Sequence, residues 1–269
     1  MRRFLGAALI WLCATPLWAD ARITVLVDVL KLDEAAVILR DEGLAYGAQL
    51  NTEMLEGQGG AAFQQQLGAL YDAQRMVETV RRALEETLES DAVEEVIGFY
   101  ATDLGQKIVT LENSARQAIQ EDDVEQAARS SYAARDGTDD PRIAQLEALV
   151  AAGDLVNRNV TSAMNANYQF MRGLAEGGAL GMTDEEILSD VTTEMEEITE
   201  DTEGWMYGYF LMAYHPLSDA ELDLYLAFAQ TQAGVALNTA LFAGFGKAYE
   251  DISYGLGRTI ALNMVSEEL

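Results

Sequence analysis

The stretch LESDAVEEVIGFYATDLGQKIVTL, residues 88 to 111, reads as helix: Val93, Val96, Ile97, Tyr100, Leu104, Ile108 and Leu111 recur at steps of one, three or four. That spacing places them along one helical face. Laid over LSDAELDLYLAFAQTQAGVALNTA, residues 217 to 240, it aligns Leu88 with Leu217, Phe99 with Phe228, Thr102 with Thr231, Gly105 with Gly234 and Ile108 with Leu237. Each copy follows a capping serine, Ser90 or Ser218, and runs through a Thr-x-x-Gly step. The match points to an internal duplication: a first helical repeat over 20–137, its signature helix at 91–119, and a second over 138–269, its weaker copy at 218–246. A glycine inside a helix costs about 1 kcal/mol relative to alanine. Close packing by a neighbouring helix is therefore expected at Gly105 and Gly234.

Working outward, the chain punctuates itself as helices do. Gly43, Gly57, Gly59, Gly60, Gly137, Gly177 and Gly178 stand where periodic apolar segments end. Asp140 followed by Pro141 is a helix start. Thr183 with Glu186, and Ser218 with Glu221, have capping-box spacing. Alternation is confined to Ile23 to Val29, which reads either as a short strand or as the lead-in to the first helix. The predicted fold is all-α, two related halves packed as a multi-helix bundle.

The N-terminus has the three zones of a secretory leader: Arg2 and Arg3, the apolar run Leu5 to Leu12, and an exit at Leu17, Trp18 and Ala19. Residues 1–19 are expected to be a signal peptide cleaved after Ala19, delivering the protein to the periplasm. The run is too short for a membrane anchor, which needs about 20 apolar residues. Cys13 is the only cysteine, so cleavage leaves a chain without disulfides or thiol chemistry. The formal charge of −28 becomes −30 once Arg2 and Arg3 are removed, which disfavours nucleic acid and anionic lipid as partners. No Lys or Arg occurs between Arg172 and Lys247, and ten acids crowd into residues 183 to 203. Glu186, Asp190, Glu194 and Glu197 are expected to form an acidic docking face for a basic partner or another envelope protein. Its own repulsion would be relieved by salt, divalent cation or basic residues of the first half such as Arg75, Arg81 or Arg82.

The segment Phe99-Tyr100-Ala101-Thr102-Asp103-Leu104-Gly105-Gln106-Lys107 resembles the signature helix of the bacterial domain-of-unknown-function family 2059: an aromatic pair, a Ser or Thr, a Leu-Gly and a Lys. The second copy keeps Phe228, Thr231 and Gly234 and lacks the second aromatic, the leucine and the lysine. The resemblance implies a secreted, all-helical envelope protein. It supplies no catalytic residue.

Direct reading for chemistry is mostly exclusive. His215 is the only histidine and precedes Pro216 at a helix break; no multi-imidazole metal site can be built from one chain, and no Gly-x-Ser-x-Gly elbow accompanies it. No phosphate loop is present, and Asp136 to Asp140 lacks the spacing of a calcium loop. No cofactor or metal is expected. Leu224 to Gly246 is free of charge for 23 positions, but its Gln, Asn and Thr residues favour a helix buried among helices over a membrane span. The aromatic group Trp205, Tyr207, Tyr209, Phe210 and Tyr214 reads as core. The functional expectation is a binding or structural accessory of the cell envelope; the alternative is a carboxylate-dependent hydrolase of cell-wall or carbohydrate material, recognisable by a cleft holding Trp205 and two carboxylates.

Overall fold

The Thr-x-x-Gly steps turn corners. In the computed structural model, which describes residues 15–267, α5 (Ser90–Tyr100) stops one residue before Thr102, and α6 (Asp103–Ala118) starts directly after it. Thr102 is extended (φ −76°, ψ 162°), and its Oγ1 accepts the Gly105 N–H at 3.1 Å while donating to the Phe99 carbonyl at 2.7 Å. The segment aligned with it breaks in the same way between α12 (Asp219–Ala229) and α13 (Gln232–Glu267), where Thr231 Oγ1 accepts the Gly234 N–H at 3.0 Å. Neither glycine is where a separate helix crosses. A Cβ at Gly105 would lie 2.5 Å from the Phe99 carbonyl and Tyr100 Cα, and one at Gly234 would overlap the Phe228 carbonyl and lie 2.9 Å from Ala229 Cα. The close neighbour is the end of the preceding helix, which only glycine can approach.

The remaining elements are α1 (Thr15–Val29), α2 (Leu32–Met54), α3 (Gly60–Leu70), α4 (Ala73–Thr87), α7 (Asp122–Ala133), α8 (Pro141–Gly153), α9 (Leu155–Glu176), α10 (Asp184–Thr193) and α11 (Met195–Ala213). No strand occurs among the described residues; Ile23 to Val29 is helical, within α1. The expected leader lies mostly outside the described residues, and α1 runs across the expected cleavage point after Ala19.

Local signals act largely as their chemistry dictates. Asp140 caps α8 with Pro141 in the first turn, and both capping boxes form. Gly137 has φ 68°, as the turn before α8 requires. Two readings fail. Gly43 sits inside α2, where a side chain would collide with the Tyr71 ring. Ser90 does not cap α5; the cap is Glu89, without a side-chain bond, and Ser90 Oγ instead accepts from Arg22 at 3.0 Å.

Three apolar clusters form the core, and each draws on both sides of residue 137. The first joins α1, α4 and α5 to Phe228, Ala233 and Leu237; the second joins α2, α3 and Met76 to Leu174 and the later part of α13; the third joins Ile108 and Ala115 to α8 and Leu211 to Leu222. The long α13 packs against α9 and α4. No described helix is long and apolar enough to cross a membrane, and the uncharged run 224–246 is itself divided by the second corner.

Candidate functional site

The two corners meet face to face. Phe99 and Phe228, one from each copy, stack with ring centroids 4.1 Å apart and planes 6° from parallel, and Tyr100 stands edge-on to Phe228 at 5.6 Å. From this aromatic junction α6 and α13 run on to line a cavity of about 500 Å³. α2 contributes Leu32, Ala35, Leu39 and Glu42, and α13 contributes Leu241, Phe245 and Tyr249, at helical steps of three or four that turn one face of each inward. α6 contributes Val109, Glu112, Asn113 and Arg116; Tyr100, Asn159, Tyr209 and Tyr225 complete the polar lining.

Glu112 is the unusual residue. It occupies the inward face of α6, one helical turn beyond the fully buried Ile108, where an aliphatic side chain would be ordinary. Its Oε1 accepts from the Tyr214 hydroxyl at 2.7 Å and the Tyr225 hydroxyl at 3.2 Å, and its main-chain carbonyl accepts from Tyr209 at 2.9 Å. No hydrogen bond from a described residue reaches Oε2. Burial raises the Glu112 pKa above the usual carboxylate value, against the pull of the two phenol bonds. Burial, then the nearby Glu112 charge, pushes Tyr214 and Tyr225 well up in turn. Tyr249 is pushed up to about 12, chiefly by burial. The Asn113 amide nitrogen is buried without a hydrogen-bond partner.

Arg116 marks the way out. It grips Glu42 from two nitrogens, Nη2 to Oε1 at 2.7 Å and Nε to Oε2 at 3.0 Å, and its guanidinium lies 4.9 Å from the Trp205 ring centroid. Burial alone would lower the Arg116 pKa; the Glu42 carboxylate more than restores it. Arg116, Glu42 and Asn159 also border an outer groove of about 650 Å³ lined by Tyr46, Gln49, Glu125, Asp201 and Trp205. There Arg129 pairs with both Glu125 (2.7 Å) and Asp201 (3.0 Å). Trp205 is stacked on Tyr209 at 5.2 Å as well as under Arg116.

Of the residues singled out in sequence, Phe99, Tyr100 and Phe228 come together at the junction, Thr102 and Thr231 are caps, and Gly105 and Gly234 are the points of closest approach. Tyr100 alone among these seven lines the cavity. Glu186, Asp190, Glu194 and Glu197 lie exposed along α10 and α11. Glu186 is committed to the Thr183 capping box, and the Thr183 backbone bond holds its pKa below the usual value rather than letting repulsion raise it. Among the described residues, the one ion pair to the ten acids of this stretch joins Arg129 to Asp201. Arg75, Arg81 and Arg82 are engaged elsewhere: Arg75 with the end of α3, Arg81 with Thr24 and Glu85, Arg82 with Glu78. His215 is exposed between α11 and α12. Among the described residues no group of three or more His, Cys, Asp or Glu is disposed to hold a metal ion.

The cavity residues Glu42, Glu112, Asn113, Arg116 and Tyr225 were not legible as a set. One signal was present: Glu112 continues the buried row Ile108, Ala115, Ile119 where an apolar residue belongs. Neither the curated proteins nor the solved structures contain a match to the chain. Residues 74–131, which hold the first corner together with Glu112, Asn113 and Arg116, match the bacterial family of unknown function DUF2059, described as an uncharacterized protein conserved in bacteria.

Proposed function

We propose that the protein is an exported periplasmic accessory of the cell envelope that works by binding a small molecule in the central cavity. Export rests on the three-zone leader. The binding reading rests on one observation: a cavity of about 500 Å³ whose walls combine leucine, valine and phenylalanine side chains with converging polar groups. Ligand pockets have this size, with a small number of polar groups to fix orientation. A thermal-shift screen of small molecules against the purified protein tests the reading. Stabilising compounds are expected, and their effect should vanish in Ala35→Phe, which fills the cavity. If no compound shifts the midpoint, or Ala35→Phe responds like the parent, the cavity is not a binding site. Periplasmic fractionation with mass spectrometry tests export: an N-terminus at Asp20 is expected, and an intact Met1 would remove it.

The hydrolase alternative draws on the outer groove, which holds Trp205 with Glu42, Glu125 and Asp201. Against it, all three carboxylates are tied to Arg116 or Arg129, and Trp205 is already occupied by Tyr209 and Arg116 rather than open to a sugar ring. For a protein partner, the reading points to Asp190, Glu194 and Glu197 on the exposed face of α10 and α11. A melting midpoint unmoved by sodium chloride or calcium would take away that motive.

A further inference from the structure

The cavity has a particular charge pattern. Three charged residues line it: Glu42, Glu112 and Arg116. Arg116 is neutralised by its two-nitrogen grip on Glu42, so the lining carries one carboxyl group with no countercharge, Glu112. The groups facing that carboxyl are phenols: Tyr214 from the end of α11 and Tyr225 from α12 donate to Oε1, and Tyr209 bonds the main chain behind it. Tyr100 from α5 and Arg116 one turn along α6 complete its surroundings. Oε2 is left free of hydrogen bonds, and Glu112 keeps accessible surface because it borders the cavity. Five aromatic rings, those of Tyr100, Tyr209, Tyr225, Phe245 and Tyr249, wall the same space.

A carboxylate among aromatic rings suits one kind of guest. Ring faces attract cations, and a charge-assisted bond to a carboxylate is about twice as strong as a neutral one. An anion would meet Glu112 without a free cation to receive it. A neutral guest could offer Oε2 only an uncharged hydrogen bond, and would leave the carboxylate without a countercharge.

We propose that the central cavity binds a small organic ammonium ion with an apolar body, its cationic head against Glu112 Oε2 and its body among Leu32, Leu39, Leu241 and Phe245. This rests on the reading that the cavity takes a small molecule, and adds the class of molecule. In the free protein burial disfavours the Glu112 charge; an incoming cation restores it, so binding expels a proton from any Glu112 that was protonated. The neutral analogue of the same guest expels none.

Isothermal titration of the purified protein with 2-phenylethylammonium, neutral 2-phenylethanol and anionic 3-phenylpropionate tests this, in two buffers of different ionisation enthalpy. The ammonium ion should bind roughly tenfold to a hundredfold more tightly than the alcohol, as a charged hydrogen bond implies. In mildly acidic buffer it should release protons, and the carboxylate should not bind. Glu112→Gln, which keeps an oxygen for the two tyrosines, should erase the preference for the ammonium ion over the alcohol. Should that variant fail to fold, the preference of the parent protein among the three probes still decides. Equal binding of ammonium and alcohol overturns the cation assignment and leaves a binding cavity standing. If none of the three probes binds, both readings fall.

Discussion

The α5–α6 and α12–α13 corners share their geometry and differ in what they carry forward. Each has a threonine cap, a glycine that only the end of the previous helix can approach, and a phenylalanine; the two phenylalanines stack on one another. Beyond the corner, however, Glu112 and Arg116 of α6 stand at the offset that places Leu241 and Phe245 on α13, and all four line the same cavity. Two equivalent frames thus supply one polar and one apolar wall. The two corners match in their mechanics, and their linings diverge two turns later.

That comparison can be broken at several levels. The largest effect is expected at the stacked pair. Phe228→Ala should cost about 3–5 kcal/mol in urea unfolding, as for a buried ring, and Phe99→Ala less, because Phe99 is only half-buried. A double-mutant cycle should show a coupling of about 0.5–1.5 kcal/mol; additive costs would mean that the rings touch without supporting each other.

Gly105→Ala and Gly234→Ala should each cost about 1–3 kcal/mol, the range for forcing extra atoms into a packed site. The two values should agree, because the added Cβ meets the same backbone carbonyl in both frames. One tolerated and one disruptive substitution would show that the corners are alike only in outline. Thr102→Ala and Thr231→Ala should follow at about 1 kcal/mol each, the usual loss of a cap; differential scanning calorimetry would expose any inequality.

The smallest expected effect is one that only a single corner can show. Lys107 of α6 bonds Glu221 at the start of α12 at 2.8 Å, whereas the matching position of the second copy is Ala236. The Lys107 bond first, then the Ser218 backbone, lowers the Glu221 pKa to about 2. Its folded value lies below the unfolded one of about 4.3, so this stabilisation is present above the unfolded value and is lost as pH falls toward the folded one. Glu221→Gln should therefore flatten the acid limb of the stability curve, and an unaltered limb would show that the pair contributes nothing measurable.

Local rules made much of the fold legible. Periodicity named the helices, and Asp140-Pro141, Thr183-Glu186 and Ser218-Glu221 marked their starts, because each is settled by atoms a few residues apart. The corners were read as continuous helix because Val93 to Leu111 keeps its apolar period through the bend; a threonine cap inside an unbroken pattern is weak against such a run. Gly43 misled for the opposite reason, since its role depends on Tyr71, far along the chain. The cavity was the least visible. Glu42, Glu112 and Tyr225 come from α2, α6 and α12, and no local spacing announces that they share a space. In the acidic run the ion pair at Asp201 comes from Arg129, which nothing nearby in sequence identifies.

The 36-residue helix α13 has a consequence for how the molecule is made. It touches α2, α3, α4, α5, α8, α9 and α12, so its residues complete contacts begun throughout the preceding chain. A chain emerging from its N-terminus has its early helices without part of the surface they are to bury until α13 arrives. Contacts of such long sequence separation slow folding, since loop closure precedes the burial that rewards it. Until α13 is made, the early helices keep apolar surface uncovered, which exposes the nascent chain to aggregation if that helix is delayed.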